Sequence, residues 1–115
     1  MIRPIILVPD KRLNTPCEVV TEFDESLRQL AQDLEDTMRA GPGSVGVAAS
    51  QIGEMKRVAV VDTSAHRKFG AESQGFFVLV NPKIIESEGE RLGREGCMSL
   101  PDFTANVKRF ERVVL

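Results

Sequence analysis

Apolar residues recur with helical spacing early in the chain and with strand-like spacing after it. Leu27, Leu30, Ala31, Leu34 and Met38 fall at i, i+3, i+4, i+7 and i+11. That places them on one stripe of an amphipathic helix. Asp24 precedes the stripe and is a good N-cap, since its carboxylate can accept from the free amides of the first turn. Gly41-Pro42-Gly43 follows it and stops a helix sharply. The spacing predicts a helix over about residues 25 to 40.

Downstream, short apolar runs replace the stripe. Residues 58–62 and 76–81 read as strands, the second closed by Pro82. Residues 83–88 and 90–94 flank Gly89 and suggest a hairpin or a bend. Residues 104–108 and 110–115 again read as strands. Before the helix, residues 2–8 look extended, Pro9-Asp10 begins a turn, and Thr15-Pro16 keeps the chain extended. Residues 63–75 form a polar connection holding the sole histidine, His66. One helix followed by several short strands predicts an α+β fold with a mainly antiparallel sheet. The last residues, Val113-Val114-Leu115, form an apolar strand with no polar tail. That ending suggests a single domain over residues 1–115, truncated at its C-terminus.

Composition narrows the function classes. The chain has 115 residues, of which 42% are hydrophobic and 28% charged, so it can build one core and is not disordered. Fifteen basic side chains against 17 acidic ones give a net charge of -2. A chain so balanced carries no electrostatic signal for nucleic acid. Its apolar runs are too short to cross a membrane, and its N-terminus lacks the pattern of a targeting peptide. Two cysteines do not make a disulfide framework, which suggests a reducing, cytoplasmic compartment.

Two stretches could carry chemistry. Residues 43–51, Gly-Ser-Val-Gly-Val-Ala-Ala-Ser-Gln, are mostly small and end in Gln51. Small side chains allow a ligand or another backbone to approach, and the Gln51 amide could hold an oxyanion. The same residues also read as a Gly-rich loop with Gln51 in solvent. They do not read as a phosphate loop, because no Gly-Lys-Ser/Thr ending is present. Residues 94–101, Arg-Glu-Gly-Cys-Met-Ser-Leu-Pro, place Cys97 beside Gly96. Its thiol could be a nucleophile, a metal ligand or an inert buried group. A cysteine nucleophile needs a positioned histidine, and His66 reads as a surface residue. Cys17 has no thiol or histidine at ligand spacing and reads as structural. Arg67-Lys68 and Lys108-Arg109 read as solvated faces.

In combination the stretches are more specific. A helix, a Gly-Val-Ala-Ala-x-Gln loop, Val80-Asn81-Pro82 and Glu95-Gly96-Cys97-Met98-Ser99 follow in that order. With Pro9-Asp10-Lys11-Arg12-Leu13 near the start, the chain resembles the peptide deformylase family from residue 3 to its end. It departs at Ser44-Val45-Gly46, where the family's first signature usually opens Gly-x-Gly, and at Met98, where leucine is usual. The third family signature, His-Glu-x-x-His, is absent, and no histidine follows Cys97.

The resemblance implies a metallohydrolase that removes the formyl group from the N-terminal methionine of nascent peptides. Its fold would be the deformylase fold without the C-terminal metal-binding helix. It implies a divalent metal, natively Fe2+ and replaceable by Ni2+, Co2+ or Zn2+, with Cys97 as one ligand. Gln51 and the backbone N–H of Met98 would be the oxyanion donors. Val45, Gly46, Val47 and Gly96 would pair with substrate backbone. N-formyl-methionyl peptides would be the partners, with the ribosome a further one, in a bacterial cytoplasm. Two histidine ligands and a glutamate base have no counterpart here. The chain alone is therefore expected to be inactive and to hold metal poorly. The readings that remain are a fragment of a true deformylase, a chain completed by another chain, or a catalytically dead peptide- or protein-binding relative. The isolated chain is expected to self-associate through an uncovered sheet or to expose a sticky apolar surface.

Overall fold

The structure is a computed structural model that describes residues 1–64 and 70–115. His66, Arg67 and Lys68 lie outside the described residues, so the readings placed on them are not addressed. The helix expected from the apolar stripe is α1, Glu25–Ala40. Asp24 caps it, its Oδ1 accepting from the Leu27 amide at 3.2 Å and from the Ser26 hydroxyl at 2.7 Å. Gly41 closes it with an extended backbone, and its amide donates to the Met38 carbonyl at 3.1 Å.

Three strands form the sheet beneath the helix: β1 (Gly46–Ala48), β2 (Val58–Asp62) and β3 (Phe76–Val80). They run antiparallel in the order β1-β2-β3. Val47 faces Val60, and Val58 faces Val80. Side chains alternate across a strand, so Val47, Val58 and Val60 share the face that α1 covers. The core there is Leu30, Leu34 and Met38 of the helix against Val20, Val47, Ala49, Ile52, Val58 and Val60. Leu34 is fully buried, so truncating it to alanine is expected to cost about 2–5 kcal/mol.

Polar groups fix the edges of this layer. The Arg39 guanidinium bonds Glu35 at 3.2 Å and Asp62 at 3.1 Å and lies over the Phe76 ring, tying the helix end to β2 and β3. Asn81 has a positive φ of 51° and uses its amide on both sides of one residue. Its Oδ1 accepts from the Val20 amide at 2.8 Å, and its Nδ2 donates to the Val20 carbonyl at 2.9 Å. Asparagine tolerates the left-handed region better than most residues, which suits it to this corner.

The remaining strands form two ribbons. β4 (Glu86–Glu88) pairs with β7 (Arg112–Val114), and β5 (Arg91–Cys97) pairs with β6 (Leu100–Arg109), both antiparallel. Gly89 therefore makes the bend between β4 and β5, with φ +69°, and the two strands flanking it do not pair. Hydrophobic spacing does not distinguish these outcomes, because partner choice is decided across the fold. Residues 2–8 are irregular and take their hydrogen bonds from outside any strand. The fold is thus mixed helix and antiparallel sheet, with the sheet divided in three.

Much of β3 and of the ribbons is uncovered. The chain exposes 8400 Å², against roughly 6,200 Å² expected of a globular protein of its mass. Phe77, Val78, Ile85, Phe103 and Leu115 are all substantially exposed.

Candidate active site

Gln51 lies in a short 3-10 turn, Ala49–Ile52, that follows β1 directly. Ala49 and Ile52 bury themselves in the core, so the turn is anchored on both sides of Gln51. Gly53 then takes a left-handed conformation, φ +86°, which lets the chain leave the turn. The Gln51 side chain folds back, and its Oε1 accepts from the Ala48 amide at 3.1 Å.

Cys97 ends β5, where a register shift between Gly96 and Cys97 breaks the regular β5–β6 ladder. Such an irregularity re-aims a side chain. The Cys97 thiol is exposed, and Gln51 Nε2 donates toward its sulfur at 3.5 Å. The same Nε2 donates to the Ser99 hydroxyl at 3.1 Å, and Ser99 is buried. The structure thus joins the two stretches that sequence singled out, 46 residues apart in the chain. The Cys97 thiol is exposed and not buried, and the Gln51 side chain is bonded within the chain.

The N-terminal segment fastens the pair from behind. The Ile6 amide donates to the Gln51 carbonyl at 2.7 Å, and the Val8 amide to the Ser99 carbonyl at 2.8 Å. Alternate residues of one segment thus hold the two backbones whose side chains meet in front.

β1 lies at the edge of its sheet, with β2 on one side. Val47 is buried in the core, Val45 is half-buried and Gly46 is exposed. Only their backbones, not the Val47 side chain, are available to an incoming strand. Gly96 is exposed at the end of β5, opposite Thr104. Met98 departs from a surface position, because its side chain packs against the core beside the helix cap at Gly41.

Glu95 does not join the cluster. The Arg109 guanidinium grips its carboxylate at 2.8 and 2.9 Å and holds it below the usual carboxylate range. Arg109 is therefore not only part of a solvated face but the partner of Glu95. Ser99 received no role from its sequence, although its place two residues after Cys97 puts both on one tight turn. Cys17 is half-buried and free.

A catalytic metal site takes three protein ligands and an open position. Among the described residues no three His, Cys, Asp or Glu side chains converge on a common point. Cys97 is a single donor, so the residues present do not by themselves fit a bound metal.

Comparison with known proteins places the chain. The family described as polypeptide deformylase matches residues 2–115, and the chain belongs to that family. A peptide deformylase of Acidobacterium capsulatum is 45% identical over 115 residues, covering 100% of this chain and 65% of its own length. One from Heliobacterium modesticaldum is 47% identical, covering 95% of this chain and 66% of its own. The chain therefore spans just under two thirds of these curated relatives. The crystal structure of a peptide deformylase from Legionella pneumophila superposes with a TM-score of 0.86 at 41% identity, over 98% of this chain and 63% of that one. A Met-Ala-Ser-bound peptide deformylase from Acinetobacter baumannii superposes with a TM-score of 0.88 at 30% identity, over 98% and 74%.

Proposed function

We propose that this chain supplies the oxyanion-binding and thiolate half of a deformylase site acting on N-formyl-methionyl peptides in a bacterial cytoplasm. The observation that carries the reading is the Gln51 amide, aimed at the exposed Cys97 sulfur from 3.5 Å. An amide in that position stabilises negative charge developing on a carbonyl oxygen next to the thiolate. The Met98 N–H, which follows Cys97, is the second donor to that oxygen.

The backbone of Val45, Gly46 and Val47 takes the peptide as an added strand, because the outer edge of β1 is unpaired. Gly96 flanks the peptide from the other side without a side chain to obstruct it. A tripeptide beginning with methionine occupies the related Acinetobacter baumannii structure, which supports a peptide of that kind here.

Cys97 would be one ligand of a divalent metal completed by donors that these residues do not supply, and such a metal, when bound, would supply water activation and polarisation of the formyl group. Iron is its native identity, with nickel, cobalt and zinc as substitutes. The other ligands and the general base come from outside these 115 residues, and residues 1–115 are the part of one domain that precedes them. The 115-residue chain alone is accordingly inactive. A catalytically dead peptide binder is the second reading, but it gives no reason to keep Cys97 and Gln51 within bonding distance. Joining the chain to the unmatched remainder of the Acidobacterium capsulatum relative and assaying formyl-Met-Ala-Ser tests the proposal. A folded, metal-loaded hybrid that releases no formate would overturn it.

A further inference from the structure

We propose that Ser99 is a positioning residue that fixes the orientation of the Gln51 amide. The inference rests on the reading of Gln51 as the oxyanion donor and adds the group that aims it. A glutamine amide with one anchor can rotate about its terminal bond, exchanging its acceptor and donor ends. Gln51 has two anchors. The Ala48 amide donates to its side-chain oxygen at 3.1 Å, and its side-chain nitrogen donates to the Ser99 hydroxyl oxygen at 3.1 Å. One of the two N–H bonds is thereby committed to Ser99, and the other is directed to the Cys97 side, where the reacting oxygen belongs.

Ser99 is itself rigid. It is 4% exposed, and its carbonyl is held by the Val8 amide at 2.8 Å. Gln51 is held in parallel by the Ile6 amide on its own carbonyl at 2.7 Å. A single segment therefore sets the separation of the two backbones, and the Ser99 hydroxyl converts that separation into an amide orientation. A donor must be fixed before the charge develops, because reorganising it during the reaction forfeits the stabilisation.

The test is the Gln51 side-chain amide signal in nitrogen-15 spectra of the chain, with Ser99→Ala and Ser99→Thr. Ser99→Ala is expected to shift that signal and to exchange its protons with water about tenfold faster, the factor one net hydrogen bond is worth. The Val8 backbone amide, which bonds Ser99 through its carbonyl, should stay in place, and Ser99→Thr should restore the Gln51 signal. An unmoved Gln51 signal in Ser99→Ala would overturn the proposal. So would a Val8 amide lost together with it and not restored by threonine. If Ser99→Ala fails to fold, a through-space contact between the Gln51 amide protons and the Ser99 β-protons in the unsubstituted chain decides the matter, its absence counting against. The readout needs neither metal nor substrate, so a hybrid that fails to deformylate overturns the function and leaves this result standing.

Discussion

Gly41 and Met98 occupy the same small space: a methyl group added to Gly41 would overlap the Met98 sulfur. The residue that ends α1 is therefore pressed against the residue that follows Cys97. The contact couples the helix on one side of the core to the turn carrying the thiol.

Gly41→Ala should expose that coupling. The Gly41 backbone, at φ -82°, suits any residue, so the cost is one of packing. The obstructing atom belongs to a flexible side chain, which places the loss near the low end of the overpacking range, about 1 kcal/mol. Denaturant unfolding measures it. Met98→Ala in the same chain should remove most of the Gly41→Ala penalty, leaving only the tight approach of the Ser44 Cβ at 3.2 Å. A penalty unchanged by Met98→Ala would show that the two residues are not in contact.

Acid should loosen the turn that precedes the site. Arg12 bonds both oxygens of Asp10 and lowers the Asp10 carboxyl from its ordinary 3.8 to about 2. Asp33 is lowered as well: burial pushes it up, but bonds from Gln29, the Met1 ammonium and Arg3 outweigh burial. Both pKa values are depressed on folding. Their contribution is therefore present above the ordinary carboxylate value and is lost as pH falls toward the depressed ones. The expected Asp10 midpoint, read from its side-chain carbon signal, is about 2. Arg12→Gln should return it toward the ordinary value. A midpoint already at the ordinary value in the unsubstituted chain would contradict the Arg12 contact.

Gln51→Leu separates the oxyanion role from metal binding. In the hybrid joined to the remainder of a relative, turnover should fall about a hundredfold or more, as when one oxyanion donor is removed. Bound metal, measured by elemental analysis, should be retained. Metal lost in parallel with activity would make Gln51 a ligand or a structural support instead.

The exposed apolar surface around β3 and the C-terminal strand should make the isolated chain self-associate. Phe77, Val78, Ile85 and Leu115 are between 41% and 65% exposed. An open groove of about 480 Å³ runs past Val78, Val80, Pro82, Ile85 and Leu115. β3 is also an uncharged edge strand, which invites pairing with another copy. The excess surface, on the order of 2,000 Å², is ample for a standard interface. Light scattering over a concentration series should show dimers or larger species. A monomer at every concentration would show that this face is not adhesive.

How much of this is legible in the sequence depends on the range of the interaction. Helix α1 and its Asp24 cap are local, and the apolar stripe places both to the residue. β2 and β3 announce themselves by composition. The pairing of β4 with β7 does not, because it joins Glu86–Glu88 to Arg112–Val114 across two intervening strands. At the site, Cys97 and Gln51 stand out as candidates from their neighbours, but only the family resemblance gives them roles. Ser99, Ile6 and Val8 are not, since their roles are one hydroxyl and two backbone amides that any sequence could supply. Only the folded chain brings them to Gln51.

The central claim is that these 115 residues hold the cysteine and an oxyanion donor of the site but not the remaining metal ligands. Formate release from formyl-Met-Ala-Ser, with nickel or cobalt added, tests it most directly when the chain and its hybrid with the remainder of a relative are assayed together. No release by the chain, release by the hybrid, and none by the hybrid carrying Cys97→Ala is the expected result. Metal-dependent release by the chain alone, abolished by Cys97→Ala, would contradict the claim.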